Sequence, residues 1–211
     1  MKLPLLNIDG TKSTSIEISD KLIKLRVNYK LIKYVIDWQL NHSKPRTAKT
    51  KQRNQIKGST KKIIAQKGSG GARHASKKAP IFVGGGVAHG PKGTKYKIKK
   101  INKKVRKLAL AQTLSKKSKE NSLHILADVK KEIKKTKEFN KFLQKNKLSN
   151  VLIISDSDSL KNINRSARNI KNVKLIKEEG ANIYDIFKYK NLIITSTSAK
   201  KIQERVLNEK N

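Results

Sequence analysis

The chain has 211 residues, and its 51 Lys and Arg against 15 Asp and Glu give a net charge of +36 at pH 7. A folded domain with this imbalance repels itself unless a polyanion neutralises it, which argues against an ordinary soluble enzyme. Cysteine is absent, which rules out disulfides and thiolate metal sites, and no run of about 18 apolar residues exists to span a bilayer. Nucleic acid is the expected partner, because each neutralised phosphate releases a counterion. An anionic membrane surface is the weaker alternative. Met1 to Leu6 show neither a long apolar stretch with a small-residue cleavage site nor an Arg- and Ser-rich leader pattern, so the expected location is cytoplasmic.

In chain order, Lys2–Ile8 and Thr14–Ser19 read as short strands joined through Asp9-Gly10, a turn signal. Val27, Leu31, Ile32, Val35, Ile36 and Leu40 recur at helical spacing and predict a helix ending near His42, ahead of Pro45. Trp38 on that helix reads as a core anchor rather than an RNA platform. From Trp38 to Lys119 there is no Asp or Glu, yet the window holds 24 Lys and Arg, nine of the 11 glycines and three of the four prolines. Its central part, about Ser43 to Tyr96, has few large apolar residues and no helical or strand period. So long a connection inside a domain is either functional or disordered. Ile101, Val105, Leu108 and Ala109 then resume a helical face that runs to about Ser118.

Beyond this point short apolar runs alternate with helical stretches. Leu123–Ala127, Val151–Ser155, Val173–Ile176 and Leu192–Thr195 are of strand type. Phe139, Phe142 and Leu143, then Leu160–Ile170, then Ile183–Phe187 are helical, and Ser198 is placed to cap a last helix carrying Ile202 and Val206. Strands separated by helices imply βαβ crossovers. The expected fold is therefore α/β, a largely parallel sheet flanked by helices and interrupted by one long extended basic loop. Residues 1–42 and 97–211 are expected to form the discontinuous globular domain, and residues 43–96 the loop.

Within the loop, Arg46, Lys49, Lys51, Arg53, Lys57, Lys61, Lys62, Lys67, Arg73, Lys77, Lys78, Lys92 and Lys95 are the candidate phosphate ligands. Gly68, Gly70, Gly84, Gly85 and Gly86 lack side chains, so the backbone there can approach RNA and offer N–H donors. His74, His89, Phe82 and Tyr96 are candidates for stacking on splayed bases. The opposing reading is a disordered, solvated basic linker. Against it stands sequence complexity, such as Gly84-Gly85-Gly86 between apolar residues and Ala79-Pro80 before Ile81-Phe82-Val83. The glycines fit neither nucleotide-binding motif, since no Gly-x-x-x-x-Gly-Lys-Ser/Thr run and no Gly-x-Gly-x-x-Gly between a strand and a helix occurs.

Other groups have competing readings. Asp156 and Asp158 follow a predicted strand, where two carboxylates can hold Mg²⁺, but the favoured reading is that Asp158 or Ser159 caps the next helix. His42, His74, His89 and His124 lack metal-ligand spacing, and no Gly-x-Ser-x-Gly elbow exists. The lysines of Lys130–Lys137 and Lys141–Lys147 are either solvated helix faces or contacts to peripheral RNA. No catalytic residue, metal site or cofactor is assigned.

Several runs then carry a resemblance. Gln66-Lys67-Gly68-Ser69-Gly70, Ala72-Arg73, Ala79-Pro80, Gly84-Gly85-Gly86-Val87 and Gly90-Pro91 resemble the signature loop of the bacterial large-subunit ribosomal protein four family. Lys49-Thr50-Lys51, Arg53, Gly58-Ser59, Lys61-Lys62, Lys103-Lys104, Arg106 and Ala109-Leu110 also match, as do Val151-Leu152-Ile153-Ile154 and Ala167-Arg168-Asn169. The sequence departs from that family at Ile63-Ile64, where an aromatic residue is usual, at Gly71 and Val83, where basic residues are common, and between Arg53 and Gly58, where a family Glu is either replaced by Gln55 or absent. The resemblance implies a non-enzymatic ribosomal protein whose loop penetrates large-subunit rRNA. It also implies a loop tip, here Lys61–Arg73, on the wall of the polypeptide exit tunnel. The implied partners are large-subunit rRNA, neighbouring large-subunit proteins and the nascent chain near the tip, with no membrane. Two other functions compete: an RNA-modifying enzyme that uses the loop as a clamp, and a histone-like DNA compactor. The first needs an acid/base or cofactor constellation, and the second does not need an alternating strand–helix domain.

Overall fold

A computed structural model describes residues 2–8, 12–44, 46–93 and 100–207. The chain divides into two units, Met1–Leu40 with Lys100–Asn211, and Asn41–Lys99. In the first, a six-stranded sheet is built from β1 (Lys2–Leu6), β2 (Lys12–Glu17), β3 (Leu123–Leu126), β4 (Val151–Ser155), β5 (Val173–Lys177) and β6 (Asn191–Thr195). The order is β2-β1-β3-β6-β4-β5. All neighbours pair in parallel except β1 and β2, which are antiparallel, so the sheet is mixed but mostly parallel. β2 begins and ends two residues earlier than the sequence predicts, and the Asp9-Gly10 turn lies outside the described residues.

The helices are α1 (Asp20–Ile23), α2 (Tyr29–Ser43), α3 (Lys103–Lys119), α4 (Thr136–Lys145), α5 (Ser157–Ala167), α6 (Ile183–Lys188) and α7 (Ser196–Leu207). They cover both faces of the sheet, as continuous apolar strands require. Along β4, Leu152 and Ile154 enter one core with Ile32, Leu114, Ile186 and Ile202, while Val151 and Ile153 enter the other with Phe139, Phe142 and Ile163. This period of two is why Val151-Leu152-Ile153-Ile154 is apolar throughout and wholly buried.

Three local expectations need correction. α5 begins at Ser157, and its cap is Asp156, whose carboxylate accepts from Ser159 N at 3.3 Å; Asp158 instead lies 3.8 Å from Lys161 on the exposed face. α7 begins at Ser196 and is capped from another segment by Asp128, which accepts from Thr197 N at 3.1 Å and from both the Ser196 and Thr197 hydroxyls at 2.6 Å. Ser198 lies a turn too late to cap it, and Thr195 Oγ1 is 2.8 Å from its hydroxyl. Leu108, assigned to the inner face of α3, is 45% exposed, because the buried stripe runs through Ala109, Gln112 and Thr113.

Candidate nucleic-acid interface

In a parallel α/β sheet the usual place for a ligand is the carboxyl end of the strands. Here hydrogen bonds within the protein occupy that end. Asp128 is committed to α7 and Asp156 to α5, and Thr195 Oγ1 stands 3.3 Å from Asp156 Oδ1. Burial alone would raise the Asp156 carboxyl, but hydrogen bonds from Ser159 and Thr195 outweigh it and hold the group below the ordinary aspartate value. Among the described residues no group of three or more His, Cys, Asp or Glu lies together to hold a metal ion, and no helix is long and apolar enough to cross a membrane. His124 on β3 is pushed below the ordinary histidine value by burial.

The second unit has a different chemistry. Two runs of chain meet antiparallel: Lys49 bridges Lys92, Thr50 N donates to Pro91 O at 3.0 Å, and Val87 N donates to Lys51 O at 2.9 Å. Farther along, Ile63 N donates to Ala75 O at 3.1 Å, so the chain reverses between these two residues. A single turn of 3₁₀ helix at Arg53–Gln55 is closed by a reciprocal Gln52–Gln55 capping box, in one of the places where the resemblance departs. Pairing of this kind supplies partners for backbone groups that have no regular sheet to join.

The predicted cations can now be located. Arg46, Lys49, Lys51, Arg53 and Lys57 on the outgoing run are exposed, as are Lys61, Lys62, Lys67 and Arg73 around the reversal and Lys77 and Lys92 on the return. Lys78 is half-buried. Lys95 and Tyr96 lie outside the described residues. No carboxylate occurs anywhere in this unit, so these cations have no ion-pair partner within it. Ile81, Val83 and Val87 are exposed apolar residues on the return run.

Two groups behave differently from the sequence reading. His74 and Phe82, expected to stack on bases, make an edge-on pair with each other, their ring centres 5.0 Å apart. The triple glycine permits the unit's own chains to pack: a Cβ on Gly85 would run into Ala79 O, and one on Gly86 would run into the Arg53 backbone. Gly68, by contrast, has φ +85° and open space around it, as a turn at the chain reversal requires. Gly70 and Gly84 also have positive φ.

In the first unit, sequence reasoning missed the surroundings of Trp38. The indole packs half-buried against the core, and the Arg106 guanidinium stands over its ring at 5.3 Å from the centre. The signal was present in the basic run Lys103-Lys104-Val105-Arg106-Lys107, which opens α3.

Comparison with known proteins covers both units. The Ribosomal protein L4/L1 family matches residues 16–205. A protein from Pelagibacter ubique called large ribosomal subunit protein uL4 is 48% identical over 206 residues, covering 97% of this chain and 99% of that protein. Proteins of the same name from Hyphomonas neptunium and Thermotoga maritima are 37% identical over 206 residues and 36% identical over 227 residues. They cover 97% and 99% of this chain, and each is itself covered to 96%. Matches of this extent show that the chain belongs to the Ribosomal protein L4/L1 family, whose members are structural proteins of the ribosome and not enzymes.

Proposed function

We propose that the chain is a cytoplasmic structural constituent of the large ribosomal subunit. It binds large-subunit rRNA through residues 43–96, supports subunit assembly, and lends the reversal at Lys61–Arg73 to the wall of the exit tunnel, beside neighbouring proteins and the nascent chain. The observation that carries this reading is the Lys49–Lys92 bridge. Like charges directly opposite on paired strands repel, and here the pair sits in a unit with twelve exposed cations among its described residues and no carboxylate. A shallow hollow of about 150 Å³ lies between Lys49, Thr50, Gln52, Gln55 and Lys92. A phosphate there would neutralise both lysines and take hydrogen bonds from the side-chain amides of Gln52 and Gln55.

Residues 43–96 provide two arms of about 27 residues, which at ~3.3 Å per residue span at most roughly 90 Å. Contacts along the arms, from Arg46, Lys49, Lys51, Arg53, Lys92 and Lys95, anchor the protein, while the tip supplies only a few. Deleting Lys61–Arg73 should therefore leave the protein at full occupancy in purified large subunits and change how a stalling peptide behaves in the tunnel. Deleting Ser43–Tyr96 should impair assembly. Full occupancy with unchanged stalling after the shorter deletion would defeat the tunnel assignment alone. A wild-type protein that fails to sediment with large subunits would defeat the whole reading.

A further inference from the structure

The last turn of α3 holds one lysine between aromatic rings. The Lys116 ammonium lies over the Phe187 ring, 4.2 Å from its centre, and 5.6 Å from the centre of the Tyr29 ring. Its side chain is only 18% exposed, although Tyr29 and Phe187 themselves reach the surface. Glu120, one turn on, is its ion-pair partner at 3.4 Å. That is longer than a charge-assisted hydrogen bond, and longer than the 2.7 Å of Lys24–Asp20, Lys174–Asp185 and Lys201–Glu178. Among the described residues, the Lys116 N–H groups have no closer acceptor.

Three anchors fix the rings around it. Asn28 N donates to Gln112 Oε1 at 3.2 Å and Lys119 Nζ donates to Leu25 O at 3.2 Å, which ties the chain before Tyr29 to α3. Lys117 Nζ donates to Tyr189 O and Lys190 O, just beyond Phe187. Two aromatic faces and a carboxylate around an ammonium are the elements of a cage for methylated lysine. A plain ammonium loses hydration there without gaining acceptors for its N–H groups. Methyl groups exchange those unmatched N–H groups for apolar contact with the rings, and the charge stays, so the attraction to the rings and to Glu120 survives. Acetylation would remove that charge. Two rings take two methyl groups, and Glu120 takes the N–H that remains. Lys188 offers the comparison: it stands 5.9 and 6.0 Å from the Tyr184 and Tyr189 rings and is exposed.

We propose that Lys116 is a modification site, dimethylated on Nζ by an enzyme that uses a sulfonium methyl donor. The cage opens at the surface, so rotation of the long side chain carries Nζ out to the enzyme and back between the rings. Each transfer begins with loss of one proton from Nζ to solvent. The freed lone pair attacks the methyl carbon of the donor and forms the N–C bond, while the C–S electron pair stays on sulfur as a thioether. Two transfers replace two N–H bonds by N–CH₃ and leave a cation with one N–H.

Protein isolated from the cells that make it is cut with chymotrypsin, which does not depend on lysine, and Lys116 and Lys188 are read by tandem mass spectrometry. The expected result is two methyl groups on most copies of Lys116 and none on Lys188. Unmodified or trimethylated Lys116 would overturn the proposal, and so would equal methylation of Lys188, since the cage would then select nothing. The cage is read separately, in protein from a host shown by mass to leave Lys116 unmodified. That protein is dimethylated chemically with isotope-labelled formaldehyde and a hydride reductant. One methyl resonance should lie upfield of those of the other lysines, shifted by the Phe187 and Tyr29 rings. It should vanish in Lys116→Arg and return to the ordinary position in Phe187→Leu. A Lys116 resonance at the ordinary position in the otherwise unaltered protein would overturn the cage.

Discussion

At the scale of single residues, glycine carries two separable demands. Gly86 sits against the Arg53 backbone with no room for a methyl group, whereas Gly68 has room and a left-handed φ of +85°. Gly86→Ala should therefore part the two runs of residues 46–93 and lower RNA affinity. Gly68→Ala should strain only its own turn, at about 1 kcal/mol. Neither should change the melting temperature of the α/β unit, which calorimetry would check. The sequence made glycine visible there but not its partner, because close approach of one run to another is a tertiary fact. Asp156 shows the same limit. The sequence offered Asp158 or Ser159 as the cap and Asp156 only as a metal ligand, yet Asp156 is the cap, because that choice depends on where the helix begins. Asp156→Ala should cost about 0.5–2 kcal/mol. Because its folded-state pKa is depressed, the stability Asp156 contributes is present above the ordinary aspartate value and lost as pH falls through the folded one. Acid unfolding should thus narrow the gap between wild type and Asp156→Asn.

At the scale of elements, the β strands were legible where burial on both faces leaves an unbroken apolar run, as in β4. Ile153→Ala there should cost about 2–5 kcal/mol, read from denaturant unfolding. α1 was not legible, since a single turn of four residues has no period to detect. α3 was legible as a helix, but its inner face was misjudged at Leu108, because its buried side includes polar residues. Ser115, Gln112 and Lys117 are buried on it, and their partners are backbone groups: Ser115 Oγ and Gln112 Oε1 accept from Leu25 N and Asn28 N, each at 3.2 Å. Lys117 donates to Tyr189 O at 2.7 Å and Lys190 O at 3.0 Å, tying α3 to the end of α6. Among 43 lysines, nothing in sequence marked this one as structural. Lys117→Met should leave both carbonyls without that donor and destabilise the fold by about 1–3 kcal/mol. Burial lowers the Lys117 pKa, so the unfolded chain binds the extra proton. Wild-type stability from this group therefore rises between the folded value and about 10.5, and the deficit of the methionine variant should grow over that window.

At the scale of the whole molecule, the uneven charge is the most legible feature and the one that carries function. The window from Trp38 to Lys119 holds 24 cations and no anion, while the remaining chain balances 27 cations with 15 anions. The charge explains why residues 46–93 expose their lysines over a sparsely bonded backbone, and it leaves those lysines open to protease without RNA. Mild trypsin treatment of the isolated protein should cut first between Lys44 and Lys99; first cuts in Val151–Thr195 would contradict this division of the chain. The path of the chain through residues 46–93 was not legible, because its pairing depends on a few long-range bonds rather than on any period.

The central claim is that this charge meets rRNA phosphates, and its most direct test is the affinity of the full-length protein for large-subunit rRNA measured across a range of salt concentrations. Neutralising on the order of ten phosphates predicts a slope of log affinity against log salt of roughly −7 to −9. A slope of roughly −1 to −2 would mean one or two phosphate contacts, and residues 43–96 would then not be the binding surface.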